Sequence, residues 1–290
     1  MIDLLVVGDC NPDLILSGGD VVPEFGQWEK VVDDMRLVPG GSSTIVAAGA
    51  ARLGLPTSLV AAVGDDLFGR FMLDAMAERG VDTGGCVIRA DVATGLTVAL
   101  TRGDDRAILT APGAIATLRA EDVDGVRLRR ATHLHVGSYF LLEGLRPGLG
   151  ELVRTARAAG ATVSLDPQGD PAGGWDGGMR DLLPSIDVLF VNETEAAAID
   201  GARAGLVVVK RGARGASAGG VDVAPPAVDA VDATGAGDGL NGALAAALAD
   251  GADLTTAARR AVVAASLSVT RAGAREGYPT VTELEAALRS

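Results

Sequence analysis

Val231-Asp232-Ala233-Thr234-Gly235-Ala236-Gly237-Asp238-Gly239, followed directly by the apolar run Leu240 to Leu248, is the segment around which the chain is organised. Small residues ahead of a helical run expose consecutive backbone N–H groups at a helix start, where unpaired donors and the helix dipole favour an anion. A phosphate suits that place. Asp238 falls in the first turn, a stable position for a carboxylate. It is a poor ligand for an anion, so its useful role is to take a proton. A hydroxyl held between Asp238 and a phosphoryl group resting on the amides of Gly235, Ala236 and Gly237 has the geometry of phosphoryl transfer, which is mostly positioning and charge stabilisation. The bland alternative is an ordinary glycine-rich loop with an acid in the first helical turn.

Asp-Ala-Thr-Gly-Ala-Gly-Asp, residues 232 to 238, resembles the C-terminal signature of the ribokinase-like (PfkB-type) carbohydrate kinases. Gly40-Gly41 and the alanine-rich run to Ala51-Arg52-Leu53-Gly54 resemble the N-terminal signature of the same family. The resemblance implies an α/β fold, a three-layer α/β/α sandwich with a mostly parallel central sheet. It also implies a small β-sheet lid built from segments at about 14–39 and 92–112, over which two copies would pair as a homodimer. The implied reaction moves the γ-phosphoryl group of ATP, with Mg²⁺, to a hydroxymethyl group of a sugar or sugar-like acceptor. A nucleoside acceptor, and a non-catalytic sugar- or nucleotide-binding protein of this fold, remain alternatives.

The chain has 290 residues, a net charge of −13, 48% apolar residues and only 3% aromatics, so its interior must be built largely from Ala, Val and Leu. Such acidity argues against nucleic acid or an anionic membrane surface as partner, while an anionic nucleotide can still bind locally through amides, Lys or Mg²⁺. Cys10 and Cys86 make no disulfide framework and the N-terminus lacks the pattern of a signal peptide, so a reducing, cytoplasmic setting is expected. The longest apolar stretches, Leu240 to Ala249 and Ala261 to Val269, are too short to span a bilayer and are expected as core helices.

Ile2 to Val7 reads as a buried strand of a parallel sheet, whose carboxyl end delivers Asp9, Asn11 and Asp13 to a prospective site. Asn11 and Asp13 offer the donors and acceptors that vicinal hydroxyls need. By themselves they also fit a turn that bonds its own backbone, and the resemblance implies the sugar-binding role. Leu14 to Ser17, Glu29 to Pro39, Thr94 to Leu100 and Ala107 to Thr110 read as short strands, the last two flanking a hairpin. Gly40, Gly41, Ser42 and Ser43 open a helix to about Leu53 and are candidate acceptor contacts. Relatives carry Asn where Ile45 stands, and ribokinases carry Lys where Ser42 stands. These departures leave the acceptor open, with Ser42 and Ser43 as substitute hydroxyl ligands.

Leu59 to Val63 is expected as a strand and Arg70 to Arg79 as a helix, with Asp65 and Asp66 as caps rather than a metal pair. His133 and His135 alternate on a strand and face one side; without further ligands at metal spacing, zinc is disfavoured. Val163 to Leu165 delivers Asp166, Pro167, Gln168 and Asp170, which either touch a ligand or make a turn. Asn192 and Glu195 are by spacing a capping box, and the resemblance implies that they organise Mg²⁺ through water. After the strand Leu206 to Val209, the resemblance carries Gly212 and Gly215 over to nucleotide binding, together with Thr234, Gly235 and Gly237; Lys210 is not carried over. It further implies a C-terminal strand and turn over Leu267 to Ala274. A monovalent cation such as K⁺ would be held there by Asp232, Thr234, Ser268, Arg271 and Gly273.

Gly215-Ala216-Ser217-Ala218-Gly219 formally matches a nucleophile elbow, but both histidines precede Ser217, the wrong order for an α/β-hydrolase triad, so a hairpin turn is expected there. No P-loop pattern occurs, and no Gly-x-Gly-x-x-Gly follows Val7.

Overall fold

The opening apolar run forms β1 (Ile2–Val7), in which Leu4, Leu5, Val6 and Val7 are buried. The structure, a computed structural model, describes residues 2–103, 105–199, 203–231, 233, 235–271 and 277–289. After β1 come β2 (Pro12–Ser17), β3 (Asp34–Pro39), α1 (Ser42–Arg52), β4 (Thr57–Val60), β5 (Ala62–Gly64), α2 (Leu67–Ala77) and β6 (Val87–Arg89). The middle of the chain supplies β7 (Leu96–Arg102), β8 (Asp105–Ala111), α3 (Gly125–Arg130), β9 (Ala131–Gly137), α4 (Arg146–Ala158), β10 (Thr162–Asp166), α5 (Met179–Leu182) and β11 (Val188–Asn192). Then follow α6 (Glu193–Ala198), β12 (Leu206–Lys210), β13 (Ala216–Ala218), β14 (Val221–Val223), α7 (Ala236–Ala249), α8 (Leu254–Ser268) and α9 (Val281–Arg289).

The main sheet has eight strands in the order β14-β13-β12-β11-β10-β9-β1-β4, parallel from β12 to β4 with β13 and β14 antiparallel at one edge. Its central strands are buried on both faces because both are covered, with His133 and His135 of β9 and Ser164 of β10 as buried polar members of one face. Leu5, Val7, Leu134, Val136, Val163 and Leu165 pack towards Leu149, Leu152 and Val153 of α4. On the other face Leu4 and Val6 meet Val46, Ala47 and Ala50 of α1, while Phe190 and Val208 meet Leu240, Ala243 and Leu244 of α7 and Ala257 and Ala261 of α8. Helices therefore lie on both sides of the sheet, the expected three-layer α/β/α arrangement. Among the described residues no helix is long and apolar enough to cross a membrane.

A separate four-stranded sheet, β3-β2-β7-β8, is formed by the segments expected as a lid. Its register sorts the side chains by face. Asp13, Val38, Thr97 and Thr110 are cross-strand neighbours on one face, whereas Leu14, Leu37, Val98 and Leu109, with Leu16, Met35, Leu100 and Ala107, share the other.

Several elements differ from the sequence reading. The run Leu59 to Val63 is divided between β4 and β5, which belong to different sheets. Helix α2 begins at Leu67, because the Asp66 carboxylate accepts from Gly69 N at 2.8 Å and caps it there. Of Glu29 to Pro39, Asp34–Pro39 forms the strand. Ser217 lies within β13, and the turn follows at Gly219 and Gly220, both at positive φ. The expected C-terminal strand is a larger correction: Leu267 and Ser268 form the last turn of α8, an alanine-rich helix capped by Asp253 through Thr256 N at 3.0 Å. Apolar runs of that length are compatible with strand or helix, and packing on α7 settles this one.

Candidate active site

The carboxyl ends of β1, β9, β10, β11 and β12 lie along one edge, with Asp166 beside Gly137 and Asn192 beside Lys210 in the register. Ligands in open parallel sheets collect at that edge. Helices α1 and α7 bring their N-termini to the same place. They approach closely, since a Cβ on Gly242 would lie 2.8 Å from Val46 O of α1.

The two helix starts differ. At α1 the Asp9 carboxylate accepts from Ser42 N and Ser43 N at 2.9 Å each, so the first donors of that helix are already satisfied. At α7 the cap is Gly235 in a left-handed conformation, φ 74°, followed by Ala236 and Gly237 in the first turn with Asp238. First-turn amides have no partner within their own helix, but just ahead of α7 Ala236 N donates to Ala233 O at 3.2 Å, so the middle donor of the expected anion cradle is engaged in a turn and would have to exchange that long bond for an anion.

Asp238 is held from two sides. Ser42 donates to Asp238 Oδ1 at 2.6 Å across a sequence separation of 196 residues, and Gln168 Nε2 donates to the same oxygen at 2.9 Å. Gln168 Nε2 also reaches Ser42 Oγ at 2.9 Å. Burial raises the Asp238 carboxyl to about 6, against the lowering effect of Lys210. A carboxylate whose proton affinity lies near neutrality is a competent general base. Gln168 holds its place with φ 56°, a left-handed conformation disfavoured for a residue with a side chain.

Behind this group lies a buried polar set. Lys210 Nζ is 2.6 Å from Asp166 Oδ2, and Asn241 Nδ2 donates to the same oxygen at 2.5 Å. Burial alone would lower the Lys210 ammonium, but Asp166 and Asp238 outweigh it and hold it above its ordinary value. Glu195 is raised by burial first and by Asp166 next.

On the acceptor side Asn11 Nδ2 reaches Thr97 Oγ1 at 3.1 Å and Asp13 Oδ1 at 3.4 Å, tying β1 to the polar face of the small sheet. Gly40 packs on the Asp13 carboxylate, where a Cβ would lie 1.9 Å from Oδ1. Gly41, φ 82°, lies against Asp9 and Asn11. The structure thus brings Asn11, Asp13, Gly40, Gly41, Ser42 and Asp238 together. Ser43 is a different case: it is fully buried, accepts from Asp9 N at 3.2 Å and packs between Gly8 and Gly137, which makes it a packing residue rather than a substitute hydroxyl ligand.

Asn192 and Glu195 form the expected capping box, with Glu195 N donating to Asn192 Oδ1 at 2.8 Å and Asn192 N to Glu195 Oε2 at 2.8 Å. The set fits Mg²⁺ chemically: oxygen donors beside the Asp166 and Asp238 carboxylates, whose mutual repulsion a divalent cation would relieve, and which can act through retained waters. Gly212, φ 56°, faces open space where a ligand could approach. Gly215, φ 80°, is required by packing, since a Cβ there would meet Val223 O at 2.1 Å.

The monovalent-cation set is only partly within view. Asp232, Thr234 and Gly273 lie outside the described residues. Ser268 donates its hydroxyl to Ala265 O at 2.8 Å inside α8, and the Arg271 side chain pairs with Glu283 at 2.7 Å. His133 and His135 are core residues, linked through Ser164 Oγ at 2.7 and 2.8 Å and pushed by burial to about 3 and about 4, so both are neutral at neutral pH. Among the described residues no group of three or more His, Cys, Asp and Glu is placed to ligate a metal ion directly, so Mg²⁺ at Asn192 and Glu195 would be held through its waters.

Residues 1–281 match the pfkB family of carbohydrate kinases. The chain belongs to that family. It is therefore a carbohydrate kinase by descent, a phosphotransferase with an alcohol group as acceptor. It is 34% identical to the ATP-dependent ribose-1-phosphate kinase of Halopiger xanaduensis, covering 99% of this chain and 98% of that protein. It is 31% identical to the ribokinase of Bacillus subtilis (98% and 99% covered) and 31% identical to the nucleoside kinase of Methanothermobacter thermautotrophicus (97% and 94%). Among solved structures, Arabidopsis thaliana ribokinase complexed with ribose and ATP superimposes with a TM-score of 0.86 at 25% identity, over 100% of each chain. An Escherichia coli protein described as a ribokinase II, in complex with ATP and Mg²⁺, gives 0.85 at 26%, over 100% of this chain and 99% of that one.

Lys210, which the resemblance does not carry over, and Asn241, which belongs to no motif, both bond the buried Asp166 carboxylate behind Asp238. Each carried a signal. Asn241 is the polar interruption of the apolar run Leu240 to Leu248, and Lys210 ends an otherwise apolar strand at the ligand edge.

Proposed function

We propose that this pfkB-family kinase transfers the γ-phosphoryl group of ATP, with Mg²⁺, to a hydroxymethyl group of a sugar or nucleoside-like polyol. The observation that carries the reading is Asp238, a half-buried carboxylate raised to about 6, placed in the first turn of α7 and bonded to Ser42, which follows the Gly40-Gly41 pair that packs on Asp13 and Asn11. The ATP complex of the Arabidopsis ribokinase and the ATP and Mg²⁺ complex of the Escherichia coli protein support the choice of donor and metal.

The acceptor's vicinal hydroxyls bond Asn11 and Asp13 below the polar face of the small sheet. Its hydroxymethyl group takes the position from which the Ser42 hydroxyl now donates to Asp238. Asp238 removes the proton as the acceptor oxygen bonds phosphorus and the bond to the bridging oxygen of the nucleotide breaks. The Gly235, Ala236 and Gly237 amides hold the equatorial oxygens. Mg²⁺, held through water by Asn192 and Glu195, would neutralise phosphate charge. The lid excludes water, the competing acceptor. Its apolar face, directed away from Asp13, supports a homodimer through that surface.

The test is ADP release with ATP and Mg²⁺ across sugars, sugar phosphates and nucleosides, with Asp238→Asn alongside. Turnover with a sugar alone or with a nucleoside alone selects between the acceptor classes found in the relatives. Binding without turnover across the whole panel would favour a non-catalytic binder.

A further inference from the structure

Lys210 leaves the end of β12 and runs along the first turn of α7. A Cβ on Gly237 would lie 3.4 Å from its Cδ and 3.8 Å from its Nζ, so the ammonium lies beside the amides proposed to receive the phosphoryl group. Among the described residues its hydrogen-bond partner is Asp166 at 2.6 Å, and an ammonium has three donors. Asp166 on β10 is fully buried, whereas the Lys210 side chain keeps 13% exposure towards the edge where ligands enter. Asp238 from α7 and Glu195 from α6 act on the same ammonium.

A buried ion pair is weak evidence of a stabilising role, since desolvation offsets most of its attraction. Asp166 is moreover already bonded by Asn241. The alternative explanation is positional. A Lys anchored on Asp166 by one donor, with no second hydrogen bond among the described residues, beside a helix start proposed to bind an anion, is placed like other phosphate-binding lysines, which act as point charges.

We propose that Lys210 is a catalytic residue of the transfer. Its ammonium, anchored on Asp166, contacts the oxygens of the phosphoryl group seated on the Gly235 to Gly237 amides and stabilises the charge they carry in transit. Asp166 and Asn241 are positioning residues that aim it. No proton moves to or from Lys210. This rests on the proposed phosphotransfer, and its test is chosen to be separable from that reading.

The experiment compares wild type, Lys210→Met, and Lys210→Met combined with Asp166→Asn. It measures thermal unfolding, affinity for Mg²⁺ with ADP, and affinity for Mg²⁺ with ADP and aluminium fluoride, a mimic of the phosphoryl group in transit. No acceptor needs to be known. Wild type is expected to bind the fluoride complex at least about 10²-fold more tightly than ADP, as enzymes do for transition-state mimics. Lys210→Met should lower Tm, because Asp166 loses its counter-charge. The double variant should regain Tm and keep its ADP affinity within about threefold of wild type, yet lose about 10-fold or more of the fluoride preference, the scale of one lost charge-stabilising donor. A double variant that regains the full preference along with Tm shows Lys210 to be a counter-ion only and overturns the proposal. Wild type that binds no nucleotide overturns the phosphotransfer reading and this proposal with it.

Discussion

In the proposed transfer Asp238 accepts a proton, and its surroundings set the pH at which it can. Its carboxyl is raised from 3.8 to about 6 by burial. As a base it must be ionised, so kcat/KM, which reports the free enzyme, should rise with pH through about 6 and then level. Ser42→Ala removes a hydrogen bond that lowers this value in the free enzyme, and should shift the acid limb of the kcat/KM profile to higher pH. A limb in the ordinary carboxylate range, unmoved by Ser42→Ala, would remove Asp238 from the role of base. The same shift has a stability consequence. With the folded value above the unfolded one, the folded state holds the proton more tightly between pH 3.8 and about 6, so this group's contribution is lost as pH rises through that window. Asp238→Asn should therefore raise Tm at pH 8 while lowering kcat by about 10²- to 10⁴-fold, with acceptor KM little changed.

Gln168 separates strain from function at the same scale. Its left-handed backbone costs about 1 kcal/mol or more for a residue that is not glycine. Gln168→Gly relieves that and gives up the amide on Asp238 and Ser42. The expectation is a Tm near wild type with kcat lowered about 10-fold, the equivalent of one hydrogen bond of ~1.4 kcal/mol in the transition state. A kcat equal to wild type would make Gln168 a turn residue only. What the sequence could say at this scale followed from local pattern. Asp238, with its glycines and its helix, is self-contained. Lys210 acquires meaning only when β12 is laid beside β11 and α7 is brought over both, a relation no spacing along the chain expresses.

At the scale of elements, the strands of the main sheet and helices α1, α2 and α7 were legible because each has a strong periodic or apolar pattern with a cap or a glycine at its end. The split between β4 and β5 was not legible, since both halves are equally buried and differ only in which strand they pair with. Helix α8 was legible as an apolar core helix over Ala261 to Val269, and only its end conflicts with the strand implied from Leu267 onward: leucine and serine there fit a strand until Leu240, Ala243 and Leu244 of α7 present a surface for a helix to pack on. The α1 and α7 contact is where an element carries chemistry, since it sets the Ser42 to Asp238 distance of 2.6 Å. Glycine is required at 242, because a Cβ would lie 2.8 Å from the Val46 carbonyl oxygen, which belongs to helical backbone and cannot turn aside. Gly242→Ala should force the helices apart and cost about 1 to 3 kcal/mol, the usual penalty of overpacking. Denaturant melts would show the midpoint fall, and kcat should fall with it as Ser42 loses register. An alanine variant as stable as wild type would mean that the helices part freely.

For the whole molecule, the proposed homodimer follows from the two faces of the small sheet. One carries Asp13, Thr97 and Thr110 towards the site; the other carries Leu14, Leu16, Met35, Leu37, Val98, Leu100, Ala107 and Leu109. Met35 is 63% exposed and Leu109 62%, so this apolar face meets solvent in the single chain. A contiguous apolar patch of this kind marks an interaction surface. A sheet face can pack on its own copy about a two-fold axis, because the same residues then meet themselves. Met35→Lys combined with Leu109→Lys places like charges on the two edge strands, β3 and β8, of that apolar face in both copies and leaves the polar face untouched. Light scattering should give twice the chain mass for wild type and the chain mass for the variant. If the lid acts on its own chain's site, the acceptor KM should rise in the variant only as far as pairing steadies the lid. A wild type that scatters as a single chain at micromolar concentration would leave the apolar face without its proposed occupant.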